Sequence, residues 1–171
     1  FNAKSLSNHN QEEFKNCISY ILSPHLDLQE LAFNVRENQE TNLGVIFLVK
    51  DVLPKMSALK KLDLKIDKAL VNDEFLQNFI NHTLFSLKKL EMLSLSMRSG
   101  SFTRKGLTKF LEAIPNVKAL FLDFGGTLIT DEELNLFQNK TLPRLTNLEI
   151  LEMGLWETQV TDLGFMNFIF G

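Results

Sequence analysis

The spacing of five leucines constrains this chain more than any other property. Leu31, Leu62, Leu93, Leu120 and Leu151 lie 31, 31, 27 and 31 residues apart, and ten residues after each stands a side chain suited to capping a helix: Thr41, Asn72, Thr103, Thr130 and Thr161. One more such residue, Asn10, stands 31 residues before Thr41. Two independent markers that keep one offset through five units describe a tandem repeat. A period of this length describes a solenoid, in which each unit buries its apolar face against its neighbours and none is stable alone.

The first marker of each unit sits in a short strand. The five segments are Leu28-x-x-Leu31-x-Phe33, Leu59-x-x-Leu62-x-Leu64, Leu90-x-x-Leu93-x-Leu95, Val117-x-x-Leu120-x-Leu122 and Leu148-x-x-Leu151-x-Met153. Alternation runs on to Val35, Ile66, Met97, Phe124 and Leu155. Apolar residues at period two make a half-buried strand, here of about three to five residues. The second marker opens a helix. Thr103 is followed by Gly106, Leu107, Phe110, Leu111 and Ile114, and the same helical spacing follows Asn72, Thr41 and Thr161. A Thr or Asn oxygen at that place accepts a hydrogen bond from an early helical N–H. Thr130 with Glu133, and Asn10 with Glu13, have capping-box spacing. Pro24, Pro54, Pro115 and Pro143 all fall between a helix and the next strand, where a residue without an N–H ends the helix. Cap to next strand is 21 residues except between Thr103 and Leu120, where it is 17, so that unit is expected to have a helix one turn shorter.

A strand–loop–helix unit of 27–31 residues with L-x-x-L-x-L resembles the leucine-rich repeat, and its full helix is similar to the ribonuclease-inhibitor-like subfamily. The resemblance covers roughly residues 10–171 and implies an α/β horseshoe with parallel strands on the concave side and helices on the convex side. It makes residues 1–171 a single domain of about five repeats plus an N-terminal helix. The chain opens on Phe rather than Met and closes within a repeat, so it is expected to be a piece of a longer protein. In one respect it departs from the family. The ladder of asparagines that bonds neighbouring turns is missing, and Arg36, Asp67, Arg98, Gly125 and Trp156 occupy its places.

Several short strings imitate catalytic or modification motifs, and the repeat explains each of them better. Leu120 to Leu128 resembles the first motif of haloacid-dehalogenase-type phosphatases, with Asp123 as nucleophile, but Gly125 stands where the general acid belongs. Asp123-Phe124-Gly125 echoes a kinase string without its companion motifs. Asn81-His82-Thr83 and Asn139-Lys140-Thr141 are N-x-T sequons at equivalent repeat positions, read here as repeated helix ends. His9, His25 and His82 have no metal-ligand spacing and are expected at the surface. Cys17, between Phe14 and Ile21, is expected to be a buried core thiol. Asp131-Glu132-Glu133 supplies acid to the positive end of a helix dipole.

Composition narrows the partners. A net charge of −3 offers no basic face for nucleic acid. One cysteine forms no internal disulfide, which points to a reducing compartment. No apolar run approaches the ~20 residues that cross a bilayer, and residues 1–20 are polar without a signal-peptide cleavage site. In a strand the residues between core positions point to the other face. One outward row is Ala32, Asp63, Ser94, Phe121 and Glu152, and the next is Asn34, Lys65, Ser96, Asp123 and Gly154. Phe121 and Trp156 fall where an aromatic has no core role, and aromatics beside arginine are enriched in interface hot spots. The candidate protein-binding residues are therefore Phe121, Trp156, Arg98, Asp123, Lys65 and Asp63. The reading is a non-catalytic protein–protein interaction scaffold, a subunit of a hetero-complex in a eukaryotic cytoplasmic, cytoskeletal or ciliary assembly. It has no catalytic, cofactor or metal residues, no nucleic-acid partner and no membrane insertion. The family resemblance implies an alternative, a regulatory subunit such as a ubiquitin-ligase substrate receptor or GTPase-activating protein. A phosphatase built on Asp123 ranks third. Phe165, Phe168, Ile169 and Phe170 lack a polar cover, so more chain or a partner is expected to shield them.

Overall fold

The computed structural model describes residues 11–35, 42–66 and 71–170. Among them the chain alternates helix and strand: α1 (Gln11–Leu22), β1 (Glu30–Val35), α2 (Asn42–Phe47), β2 (Lys61–Ile66), α3 (Asp73–Asn78), β3 (Met92–Ser96), α4 (Arg104–Ala113), β4 (Ala119–Asp123), α5 (Asp131–Leu136), β5 (Ile150–Gly154) and α6 (Asp162–Phe170). The five strands form one parallel sheet in sequence order, and the leucine markers lie opposite one another: Leu31 pairs with Leu62, Leu62 with Leu93, Leu93 with Leu120 and Leu120 with Leu151. The result is an α/β stack with all the helices returning on one side of the sheet. β1 and β2 are six residues long, slightly more than alternation alone indicates, because Glu30 and Lys61 join the ladder ahead of the apolar positions.

One core runs through every unit. Phe33, Leu62, Leu64, Ile66, Leu93, Leu120 and Leu122 from the sheet meet Phe14, Ile18, Leu48, Phe75, Phe79, Phe110 and Phe137 from the helical side. Phe79 lies 5.7 Å from Phe75 and 6.4 Å from Phe110, centroid to centroid. The stripe Phe14, Ile18, Leu22 occupies the core at every fourth residue of α1 and leaves Cys17 on its shoulder. The thiol is therefore partly exposed rather than buried. His25 and His82 are at the surface; His9 lies outside the described residues.

The caps act as the spacing indicates. Asn72 Oδ1 accepts from the Phe75 N–H at 2.9 Å, Thr103 Oγ1 from Gly106 at 3.2 Å and Thr161 Oγ1 from Gly164 at 3.0 Å. Thr130 and Glu133 form a capping box. Asn10 and Thr41 lie outside the described residues. α4 is a single ten-residue helix that turns directly into extended chain at Ile114 before Pro115. The longer units spend their extra residues on π-helical turns, at Leu48–Val52, Phe79–Leu84 and Phe137–Thr141. Two of these pass into 3-10 turns that carry Pro54 and Pro143. Pro24 sits in a similar turn after α1.

Backbone bonds join neighbouring units at both ends of the strands. At the start of each strand one carbonyl accepts two N–H groups of the next unit: Gln29 O from Lys60 and Lys61, Lys60 O from Glu91 and Met92, Glu91 O from Lys118 and Ala119, Lys118 O from Glu149 and Ile150. At the other end Ser99 N–H donates to Gly125 O and Gly126 N–H to Trp156 O. Side chains add a second set of links. Asp73 accepts from the N–H and hydroxyl of Thr103, and Asp131 accepts from the same two groups of Thr161. Those bonds hold the Asp131 carboxyl below its ordinary pKa, the Thr161 hydroxyl contributing most. The two sequon threonines are buried: Thr83 donates to Val49 O at 2.6 Å and Thr141 to Leu111 O at 3.1 Å, each tying its helix to the one before.

After the strands, Ser99, Gly126 and Glu157 occupy the same place in successive units, and all three have positive φ, at 52°, 69° and 53°. Only glycine enters that region without a steric cost. Gly126→Ala should therefore destabilise the protein by roughly 1–2 kcal/mol. Urea unfolding checks this, and an unchanged midpoint at unchanged slope would show that the turn rearranges freely.

Candidate protein-binding face

The face of the sheet turned away from the helices is where the alternating residues emerge. Strand pairing sets Asp63, Ser94, Phe121 and Glu152 in one row and Lys65, Ser96, Asp123 and Gly154 in the next. Five of the six residues singled out from sequence converge here. Lys65, Arg98, Phe121, Asp123 and Trp156, together with Glu152, line a cavity of about 350 Å³. Asp63 lies on β2 two residues before Lys65, outside the lining. Its carboxylate accepts the Ser94 hydroxyl at 2.6 Å and stands 3.5 Å from the Lys65 ammonium, so it positions Lys65 from outside the cavity.

Arg98 organises the centre. Its Nε donates to Asp123 Oδ2 at 2.5 Å, while Asp123 Oδ1 accepts the Gly125 N–H at 3.1 Å. The guanidinium carbon lies 5.0 Å from the centroid of the Trp156 ring, within cation–π range. The pair is half solvated, so its net contribution to stability is small, about 0–1 kcal/mol. Its main effect, with the Gly125 N–H on Asp123 and the Trp156 ring under Arg98, is to set the angle of the two side chains.

The aromatics are less free than their positions in the sequence imply. Trp156 is 44% exposed, but one side of its ring lies over Gly125, which is buried, and a side chain at that position would overlap the indole. Phe121 is half-buried rather than exposed, and Ser96 is buried. The end row therefore does not simply face outward: Gly125 is the floor on which Trp156 rests. Arg36 and Asp67 of that row lie outside the described residues. Ser94 and Glu152 belong to the site although neither was singled out; the signal for both was their place in the same row as Asp63 and Phe121.

Asp123 has both oxygens engaged by Arg98 and Gly125, which is the arrangement of a positioning carboxylate. Among the described residues no three His, Cys, Asp or Glu side chains converge as metal ligands, and no helix is long and apolar enough to cross a membrane. Neither the family models nor the curated proteins compared with this sequence give a match.

Proposed function

We propose that the chain is a leucine-rich-repeat horseshoe whose concave face, the open side of the sheet, binds another protein without catalysis. It would serve as a scaffold subunit of a larger cytoplasmic assembly. One observation carries this reading: Phe121, Trp156 and Arg98 surround a single solvent-facing cavity in the middle of that face, with Arg98 held by Asp123 and stacked on Trp156. Aromatic and arginine side chains on a preset framework are what interface hot spots are made of, since little rotamer freedom remains to be lost on binding. The flanking charges, Lys65 and Asp63 on one side and Glu152 on the other, alternate in sign. They suit a partner selected by its charge pattern rather than a uniformly acidic or basic surface.

The test is affinity capture with the protein as bait, followed by calorimetry on the captured partner. Phe121→Ala and Trp156→Ala should each weaken binding by about 2 kcal/mol or more, roughly thirtyfold, at unchanged thermal stability. Tyr20→Ala, on exposed α1, serves as a control and should leave affinity unchanged. A partner that binds both aromatic variants as tightly as the parent places the interface elsewhere.

A further inference from the structure

The last unit differs from the others in one physical respect: its apolar positions are at best partly covered. The fourth residue after each cap is Val45, Leu76, Leu107 and Leu134 in the inner units, all at most 2% exposed, and Phe165 in the last, which is 45% exposed. Four residues further on, Val49, Ile80 and Leu111 are buried while Ile169 is 52% exposed. Leu76 and Ile80, for example, line a small cavity together with Lys105, Gly106 and Lys109 of α4, the following helix. Leu163, Met166 and Phe170 are exposed as well, so α6 is apolar around its circumference, the composition of a helix packed on both sides. β5 pairs with β4 alone, and its outer edge is open.

A polar feature of the same end identifies what fits there. Asp73 and Asp131 each directly follow a helix cap, and each receives the N–H and hydroxyl of the threonine that caps the next unit, 30 residues later. Gly106 and Gly164 leave room for those two carboxylates, because any side chain there would overlap them. Asp162 follows the Thr161 cap in the same way, yet it is exposed and its carboxylate has no partner among the described residues. A second copy of this chain is a poor match. Its Thr161 hydroxyl is already given to its own Asp131, and its α1 exposes Glu12, Glu13 and Asn16 to an apolar surface.

We propose that the β5–α6 end is an acceptor for one further strand–helix unit, its strand extending the sheet beyond β5 and its helix covering α6. A threonine or serine caps that helix and is clasped by Asp162, as Thr103 is by Asp73 and Thr161 by Asp131. The recognition is chemical on both counts: apolar side chains meet Phe165 and Ile169, and a hydroxyl with its N–H meets the carboxylate.

The experiment appends a second copy of residues 141–171 to the chain. That places a copy of the Thr161 cap in the required register with Asp162 and presents the same surface at the new end, so only the junction is added. The Tm should rise by roughly 5 °C or more, in one transition. Asp162→Asn should lower the Tm of the extended protein by about 2 °C or more and leave that of the 171-residue chain within about 1 °C. Three results overturn the proposal: no rise, a separate transition for the added segment, or an equal effect of Asp162→Asn on both proteins. Sedimentation showing that the 171-residue chain pairs through Phe165 and Ile169 would assign the surface to a second copy instead.

Discussion

Phe110→Ala should destabilise the protein by about 3–5 kcal/mol, whereas Phe168→Ala, the same change at the same repeat position in the last unit of the stack, should cost about 1–2 kcal/mol. Phe110 is fully buried in α4, 6.4 Å from Phe79, and its ring fills the space between two neighbouring units. Removing it leaves a cavity that cannot collapse easily: α4 is an uninterrupted α-helix without the π turn of the longer units, and extended chain follows at Ile114 before Pro115. Phe168 packs against Phe137 at 6.1 Å but is only half-buried, so less contact is lost and water fills the space. In a stack whose stability is a sum of unit and junction terms, a central junction counts for more than a terminal one. Urea unfolding monitored by circular dichroism separates the two variants. Equal losses would mean that the helical layer is not packed as a stack of equivalent units.

The sequence made the stack legible because stacking is a repeated physical demand. A residue that fills the core in one unit must be matched at the same place in the next, which is why five leucines and five caps keep one offset. Local chemistry was legible for the same reason: the Thr130–Glu133 capping box needs only residues three apart. What the sequence concealed falls into two kinds. The π turns at Phe79–Leu84 and Phe137–Thr141 escaped notice because the apolar stripe over such short segments reads equally well at helical period 3.6. Contacts across units escaped because nothing local announces them. Arg98 reaches Asp123 and Trp156 on two successive neighbours, and Thr83 and Thr141 complete sequons on Asn81 and Asn139 while their hydroxyls bond carbonyls 34 and 30 residues away in the sequence. For the binding face, the outward rows could be listed from alternation, but the depth at which Phe121 settles and the way Trp156 rests on Gly125 depend on loop shape, which composition does not encode.

Glu133→Ala combines both kinds of information and should have the second largest effect, about 2–4 kcal/mol. The Glu133 side chain is nearly inaccessible. It accepts from the Thr130 N–H at 2.9 Å, the Thr130 hydroxyl at 2.6 Å and Arg104 Nε at 2.5 Å, and Arg104 also pairs with Glu132. Truncation removes one half of the capping box and leaves the Thr130 N–H and hydroxyl short of an acceptor, and an unmet donor costs more than the same bond gains when formed. The two roles separate in a double-mutant cycle. Arg104→Met removes only the link between units, so a coupling with Glu133→Ala of about 0.5 kcal/mol or more measures how far this carboxylate joins α4 to α5 rather than merely starting α5. A coupling near zero would reduce Glu133 to a local cap. The junction between those two units would then rest on the core, the backbone ladder and the Thr141 bond to Leu111 O, without the two-bond clasp that Asp73 and Asp131 supply at two other junctions.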